Sequence, residues 1–417
     1  MARRSPLAAA LAVAAALLAT PAIATAATGP YVALGDSYTA GPFVPNQVGK
    51  PIGCARSDRN YPSLVAAVMR VTAFRDESCS AATTEHMTRP QPVTLGVHSP
   101  QFEALHPAAE LVTIGIGGND VGLVGAAVIC VQRGTLAPTG RACRSHFARP
   151  GGGDRLADRI AATAPRIAAT LEGIHERSPQ ARVLIVGYPA VAARNGRSCY
   201  PLVPLSPDDM AYLDGMLRAT NAMIAEQAAL HDAEYVDTYD DSIGHDVCTP
   251  PGTRWFEGVV PTAPAFPVHP NALGMASMAR SVLRVLAAPR PTPVLSDLRR
   301  LRERYTAGRA ARFAYRLSRP ATVEFTLRRA LAGRRAGRRC APPSRANRGA
   351  RGCRRWSRAL RVLRADGRRG ENTVTLSGAA LGRRPGLLRL TARPSSGPGQ
   401  PPGASRHVQF RVAARGR

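Results

Sequence analysis

The sequence has almost no lysine and few aromatic side chains. Lys50 is its one lysine, and aromatic residues make up 5% of its 417 positions. Trp356 and Tyr315 are too sparse to form a platform on which successive nucleic-acid bases stack. The chain also has no Cys-x-x-Cys pair and no two histidines three to five residues apart, so the spacings typical of a zinc site are missing. These absences disfavour nucleic-acid recognition and metal binding as the main role.

Long apolar runs are missing after the first thirty residues. The best later stretch, Leu273 to Ala288, is interrupted by two arginines, whereas a membrane-spanning helix needs about 20 mostly apolar residues. Near the start, Arg3 and Arg4 precede a shorter apolar run, Leu7 to Leu18, and small residues follow it. This pattern is typical of a secretory signal. We predict a signal peptide over residues 1–26 and an exported, soluble protein with no transmembrane segment after cleavage.

Acidic side chains are scarce in the C-terminal third. Residues 291–417 hold 32 of the 56 basic side chains and five of the 28 acidic ones, whereas residues 1–290 are nearly neutral. A strongly positive surface attracts polyanions and is screened by salt. The sequence therefore predicts a neutral module joined to a basic one. For an exported protein we expect an anionic cell-envelope polymer, anionic lipid headgroups or extracellular nucleic acid as partners, with a soluble spacer that binds nothing as the alternative.

Eight cysteines are present, an even number. In an oxidising compartment an even count indicates disulfides, although eight cysteines allow 105 pairings. Pairing neighbours along the chain predicts four modest loops: Cys54–Cys79, Cys130–Cys143, Cys199–Cys248 and Cys340–Cys353.

Short apolar runs alternate with longer amphipathic segments between residues 31 and 286, as in α/β folds. Buried parallel strands are predicted at Tyr31–Leu34, Leu111–Ile116, Val183–Val186 and Glu234–Asp237. Helices are predicted at Pro62–Arg70, Asp154–Arg177, Pro207–Leu230 and Pro270–Ala288. The expected product is a parallel sheet with helices on both faces.

A proline-rich segment, residues 289–297, ends this pattern and is predicted to be a linker. Beyond it, Ala321–Leu327 alternates apolar and polar side chains, which is typical of a half-buried strand. Shorter segments of the same kind follow. They predict a small antiparallel β-sandwich over residues 298–417, with the Cys340–Cys353 loop at one edge.

Three polar side chains lie where reactive groups gather in such a sheet. Ser37 follows the first predicted strand in a Gly-Asp-Ser sequence, and Asn119 follows Leu111–Ile116 in a Gly-Gly-Asn-Asp sequence. His269 lies in the loop before the helix that Pro270 would begin. A serine nucleophile, an amide donor and an imidazole base are the parts needed for acyl transfer. The serine and asparagine sequences also fit ordinary turns and caps.

Together these segments resemble the SGNH (GDSL-type) hydrolases, and specifically their secreted actinobacterial lipases and esterases. Gly-Asp-Ser37-Tyr-Thr-Ala-Gly is similar to the nucleophile block, Gly-Gly-Asn119-Asp to the asparagine block, and Val-His269-Pro-Asn-Ala-Leu-Gly to the histidine block. The blocks follow the family order, and the first three cysteine pairs resemble that subgroup's disulfides. The resemblance implies a hydrolase domain over residues 30–288 with a three-layer α/β fold around a central parallel sheet.

Two positions depart from the family pattern. Ala81 stands where the family has a glycine whose N–H serves the oxyanion hole, and alanine is disfavoured there if φ is positive. Phe266 stands three residues before His269, where most of the family carries an aspartate. The resemblance implies that the backbone carbonyl of Phe266 orients the imidazole instead. The alternatives are carboxylates of another loop, Asp240, Asp241 and Asp246.

The resemblance implies a metal-independent serine esterase or lipase that cleaves carboxylic, lipid or fatty-acyl esters and needs no cofactor. Ser37 would form the acyl-enzyme, His269 would act as base, and the N–H groups of Ser37 and Ala81 with the Asn119 amide would hold the oxyanion. A catalytically impaired relative that binds the cell envelope is the alternative. We expect a secreted monomer, retained at the envelope by its basic domain. Six apolar residues are expected to line an acyl site, with ordinary core packing as the alternative: Tyr38, Phe43, Ile116, Val121, Leu123 and Phe266.

Overall fold

The fold is given by a computed structural model, which describes residues 29–71, 73–395 and 402–414. The predicted signal peptide lies outside these residues. No helix among the described residues has the length and apolar character needed to cross a membrane.

The first part of the chain contains nine strands and nine α-helices among its described residues. The strands are β1 (Tyr31–Gly35), β2 (Gln47–Val48), β3 (Arg56–Ser57), β4 (Phe74–Asp76), β5 (Gln91–Val93), β6 (Gly96–His98), β7 (Leu111–Gly115), β8 (Arg182–Val186) and β9 (Glu234–Val236). The helices are α1 (Ser37–Ala40), α2 (Tyr61–Met69), α3 (Gly118–Val121), α4 (Leu123–Leu136), α5 (Ala142–Phe147), α6 (Arg155–Arg177), α7 (Pro207–Leu230), α8 (Tyr239–Ser242) and α9 (Ala272–Ala287).

Five of these strands form one parallel sheet in the order β4-β1-β7-β8-β9. Successive side chains of a strand point to opposite faces. Tyr31 and Ala33 accordingly pack with α2 and α9, whereas Val32 and Leu34 pack with α6 and α7. The predicted sheet with helices on both faces is confirmed, and β1 and β7 lie at its centre. The sequence pattern missed the edge strand β4, which is three residues long.

The C-terminal part is rich in antiparallel strands, as predicted. Its elements are β10 (Leu295–Arg300), β11 (Tyr305–Thr306), β12 (Ala311–Leu317), β13 (Ala321–Ala336), β14 (Arg339–Ala341), β15 (Gly352–Trp356), β16 (Arg361–Gly367), β17 (Gly370–Leu376), α10 (Gly378–Leu381), β18 (Gly386–Ser395) and β19 (Arg406–Ala413). Strand β10 begins inside the segment predicted as linker. One sheet, β10-β12-β17, packs against the other, β11-β19-β18-β13, around a core that includes Phe313, Phe325 and Phe410.

All four predicted disulfides are present. The first, Cys54–Cys79, ties down the loop that carries Ala81. The last, Cys340–Cys353, joins β14 to β15 across the far end of β13. A cross-link of this kind stabilises the fold chiefly by restricting the unfolded chain.

Candidate active site

Ser37 begins the one-turn helix α1 directly after the central strand β1. Gly35 ends the strand with a φ of 144°, which glycine adopts without a steric penalty. Asp36 caps α1, because its carboxylate accepts a hydrogen bond from the N–H of Tyr38 at 2.9 Å. The Ser37 hydroxyl therefore lies at the carboxyl edge of the sheet, where the residue is 6% exposed.

His269 reaches this serine from the loop before α9. Its Nε2 atom lies 2.8 Å from Oγ of Ser37. The loop is held by the hydroxyl of Tyr38, which donates to the Val268 carbonyl at 2.6 Å, and by the N–H of Glu257, which donates to the His269 carbonyl at 3.0 Å. The structure thus brings the two side chains predicted as nucleophile and base into hydrogen-bond distance.

The carbonyl that faces the second imidazole nitrogen belongs to Pro267, so the prediction that Phe266 supplies it was wrong. Nδ1 of His269 lies 2.8 Å from the Pro267 oxygen. The Phe266 carbonyl accepts the backbone N–H of His269 instead, at 3.1 Å, and closes a tight turn. Val268 has a φ of 61°, which folds the ring back over Pro267. With Nδ1 donating to this carbonyl, the lone pair of Nε2 faces Ser37.

Burial sets the protonation state of His269. The residue is 3% exposed, and burial lowers the pKa of its imidazole to about 4, against a smaller upward effect of the Pro267 carbonyl. The ring is therefore neutral near pH 7. Neutral imidazole is the form that accepts a proton from a serine hydroxyl.

The three aspartates considered as substitutes for a family carboxylate are engaged elsewhere or exposed. Asp241 accepts hydrogen bonds from Arg284 and Ser281. Asp246 pairs with Arg197, and Asp240 is exposed in α8. None of them contributes to the pKa of the imidazole.

Ala81 lies beside the serine turn because the chain after β4 runs along the end of β1. The N–H of Cys79 donates to the Gly35 carbonyl at 2.9 Å. Ala81 has a φ of 63°, so the positive angle that made alanine unfavourable is present, at a cost of about 1 kcal/mol relative to glycine. In the part of the chain that the structure describes, the N–H groups of Ser37 and Ala81 have no protein acceptor.

Asn119 completes this set of donors from the end of β7. Its Nδ2 atom donates one hydrogen to the Ala82 carbonyl at 2.9 Å, and the second hydrogen of the amide is left for another acceptor. Asn119 and Ser37 line the same cavity. The bond to Ala82 also fixes the Asn119 turn to the loop of Ala81.

Tyr188 connects the serine turn to the asparagine turn, and the sequence analysis missed it. Its hydroxyl donates to Oδ2 of Asp36 at 2.5 Å and accepts the N–H of Gly118 at 2.7 Å. A Cβ atom at position 118 would lie 2.8 Å from the tyrosine ring, so the second glycine of the Gly-Gly-Asn-Asp sequence is required. The one available signal was that Tyr188 follows β8 at the same sheet edge.

Asp36 and Asp120 each fix one of these turns, Asp36 the serine turn and Asp120 the asparagine turn. Burial raises the pKa of the Asp36 carboxyl to about 7, although hydrogen bonds from Tyr188 and the Tyr38 N–H oppose this. Asp120 accepts the N–H of Thr84 at 3.0 Å and its hydroxyl at 2.5 Å, which ties the asparagine turn to the residues after Ala81.

An apolar cavity opens beside Ser37, between α4, α7 and the loops that follow β8 and precede His269. Of the six predicted acyl-site residues, Tyr38 and Leu123 line it, whereas Ile116 and Val121 are buried elsewhere in the core. Phe43 and Phe266 are exposed and pack against each other. The aliphatic residues of the wall are Leu123, Val124, Ala127, Val131, Val191, Ala192, Val203, Leu205, Met210, Leu213, Leu217, Val247, Val259 and Val268.

One group of potential metal ligands occurs among the described residues, formed by Cys54, Cys79 and His98. Both cysteines are joined in a disulfide. A metal binds the thiolate of a cysteine, so this group offers no thiolate ligand while the disulfide is intact.

Comparison with known proteins identifies the family of this chain. Residues 33–276 match the GDSL-like lipase/acylhydrolase family. Lipase 2 of Streptomyces coelicolor is 39% identical over 272 residues, which cover 64% of this chain and 89% of that protein. A lipase of Streptomyces rimosus is 31% identical, over 63% of this chain and 92% of that protein.

Two solved structures have the same fold. Phospholipase A1 from Streptomyces albidoflavus superposes with a TM-score of 0.53 at 26% identity, over 63% of this chain and all of that one. The extracellular lipase from Streptomyces rimosus gives a TM-score of 0.51 at 29% identity, over 62% of this chain and 99% of that one. The family match spans more than half of the sequence, and this chain therefore belongs to the GDSL-like lipase/acylhydrolase family and is a carboxylic ester hydrolase.

Proposed function

We propose that the protein is a secreted serine lipase or esterase that cleaves fatty-acyl esters through an acyl-enzyme on Ser37. The observation that carries this proposal is the 2.8 Å contact between Ser37 Oγ and His269 Nε2 at an apolar cavity. A base hydrogen-bonded to a serine and oriented by a third group is the arrangement that activates a hydroxyl. It favours an active enzyme over the alternative of an impaired relative that only binds the envelope.

The reaction begins when Ser37 Oγ attacks the ester carbonyl carbon and His269 Nε2 takes the hydroxyl proton. Negative charge develops on the carbonyl oxygen, where the N–H groups of Ser37 and Ala81 and the Asn119 amide stabilise it. The imidazolium then returns the proton to the departing alcohol. In the second half, water attacks the acyl-enzyme carbonyl and gives a proton to His269. The imidazolium returns this proton to Ser37 Oγ as the bond to the acyl group breaks and the free acid leaves.

The Pro267 carbonyl gives the imidazolium less electrostatic support than a carboxylate would. Since the neutral ring is the active form, kcat/KM is expected to fall as the pH drops through the His269 pKa of about 4. The native enzyme should therefore keep most of its activity at pH 5.

Replacing Phe266 with aspartate is expected to move this acid limb to higher pH. The Phe266 and His269 rings have centroids 5.2 Å apart, so a carboxylate at position 266 would lie near the imidazole, and an opposite charge at such a distance shifts a pKa by about one unit or more. The pH dependence of kcat/KM with a soluble ester measures the shift. Phe266→Asn is the matched control without charge, and identical limbs for both variants would contradict orientation of the ring towards position 266.

We assign the acyl chain of the substrate to the apolar cavity. Its wall is mostly aliphatic, and burying an acyl chain there contributes about 0.8 kcal/mol for each methylene. Ala127 lies on the α4 wall, so its small side chain leaves room that a larger one would fill.

Ala127→Phe is expected to lower kcat/KM for long-chain p-nitrophenyl esters by at least about tenfold and to leave the acetate ester nearly unaffected. Val128→Phe is the matched control, since Val128 is the next residue of α4 and is 48% exposed. Chain-length profiles of the three proteins test the assignment. A loss of equal size at every chain length would rule out an acyl chain at this wall.

We further propose that the protein is exported and held at the cell envelope by an anionic polymer that binds the basic C-terminal domain. Four disulfides suit an oxidising compartment, and one similar structure is that of an extracellular lipase. Action as a monomer stays a prediction.

A further inference from the structure

The far half of β13 extends beyond the sandwich. Past Arg329 it no longer pairs with β18 but runs between β14 and β15 as a three-stranded sheet. We call residues 328–358 the arginine arm. No described residue of the arm belongs to the core of the sandwich.

A disulfide holds the arm together in place of a core. Cys340 and Cys353 join the two outer strands over Gly333 of the middle one. A Cβ atom at position 333 would lie 2.4 Å from the sulfur of Cys340, so the cross-link requires this glycine. The disulfide therefore restricts the conformation of the arm, which has no hydrophobic core of its own to do so.

No ion pair among the described residues neutralises the positive charge of the arm. Residues 328–358 include twelve arginines and no aspartate or glutamate. The ion pairs of the described C-terminal part involve Arg299, Arg319 and Arg364, all outside the arm. The guanidinium groups of the arm that form hydrogen bonds with described residues donate to backbone carbonyls. Like charges this close repel one another, and an anion bound between them would relieve the repulsion.

Four arginines of the arm lie on one face, together with Arg389 of β18. Directly paired residues of neighbouring strands share a face, and the pairs Ala336–Arg339, Ala332–Arg354 and Arg328–Arg389 fix which residues do. The residues between these arginines on the same face are small. We call this the basic face, formed by Arg328, Arg334, Arg339, Arg354 and Arg389 around Ala330, Ala332, Ala336, Ala341 and Gly352.

We propose that the basic face binds a linear polymer of phosphate groups that carries no nucleobases, either a polyphosphate or a base-free phosphodiester chain, which lies extended over the alanine and glycine residues. Guanidinium groups bind phosphate oxygens through paired N–H donors, and same-face positions of a strand repeat at about 7 Å. This inference rests on the proposed retention at the envelope and names the surface and the chemistry that would provide it.

The composition of the face favours such a polymer over a membrane or a nucleic acid. Its arginines are separated by small side chains, whereas insertion into a lipid surface uses large apolar ones. Trp356 pairs directly with Ala330 and is the one aromatic residue on this face. The Arg389 guanidinium covers its ring at 4.0 Å, so the ring is not open for a base to stack on.

Binding of long-chain inorganic polyphosphate to the full-length protein tests the proposal. The arm variant carries Arg328→Gln, Arg339→Gln and Arg354→Gln, and the control carries Arg302→Gln, Arg309→Gln and Arg312→Gln. All six side chains are exposed, and both variants lose three charges. The arm variant is expected to bind at least about tenfold more weakly at low salt, with the slope of log K against log salt reduced by about 2, while the control stays within about threefold of the native protein.

Equal losses in both variants would overturn the proposal, because net charge alone would then explain binding. Tighter binding to phosphatidylglycerol vesicles or to oligo(dT) than to polyphosphate would also overturn it, in favour of a membrane or a nucleic acid.

The variant with Arg→Lys at the three arm positions keeps the charge and is expected to bind polyphosphate more tightly than the Gln variant. Hydrolysis of a soluble ester should be unchanged in every variant, so an inactive native protein that still binds polyphosphate would refute the catalytic proposal and leave this one standing.

Discussion

Replacing Ser37 with alanine is expected to reduce the hydrolysis of p-nitrophenyl esters by at least about 10⁴-fold. The reason is that the Ser37 hydroxyl is the atom that attacks the ester, and the remaining donors and the cavity can bind substrate without forming an acyl-enzyme. Thermal unfolding should be nearly unchanged, since the variant removes one oxygen and leaves the Asp36 cap of α1 in place.

Ser145→Ala is the matched control, because Ser145 is an exposed serine of α5. It is expected to keep native kcat and KM. Hydrolysis by Ser37→Ala at more than about one-hundredth of the native rate would exclude Ser37 as the nucleophile.

Replacing His269 with alanine is expected to cause a loss of similar size, at least about 10⁴-fold in kcat. Among the described residues, His269 is the side chain hydrogen-bonded to the Ser37 hydroxyl, whereas the Asp36 carboxylate is bound by Tyr188 and the Tyr38 N–H. The loss should fall on kcat with little change in KM, since the imidazole acts on the reacting atoms.

His407→Ala provides the control for that variant, as His407 is an exposed histidine of β19. It should behave as the native enzyme. Losses in Ser37→Ala and His269→Ala that multiply in the double variant would indicate independent roles, whereas the proposed mechanism expects the double variant to be no worse than either single one.

The sequence predicted the parts of the site that depend on strand ends. Ser37 and Asn119 follow β1 and β7, which are adjacent in the sheet, and polar residues after neighbouring parallel strands meet at one edge. His269 was predicted from the sequence block and from the helix that follows it. The positions of residues that directly follow a strand or precede a helix can therefore be predicted from the sequence.

The contacts that were missed depend on backbone angles or on distant packing. The positive φ of Val268 decides whether the carbonyl of Phe266 or that of Pro267 faces the imidazole. A valine at this position does not indicate a positive φ. Tyr188 is 152 positions from Asp36, and the cavity wall depends on how α4 and α7 pack. The same limit applied to β13, whose alternating pattern ends at Leu327 although the strand continues to Ala336.

Covalent labelling by a fluorophosphonate tests directly whether Ser37 is the activated nucleophile, because an activated serine hydroxyl displaces fluoride from the reagent and becomes phosphonylated. We expect one label per native molecule, located on Ser37 by peptide mass analysis, and none on the Ser37→Ala protein under the same conditions. A label on another serine, or an enzyme that hydrolyses esters at full rate while Ser37 stays unmodified, would contradict the role of Ser37 as nucleophile.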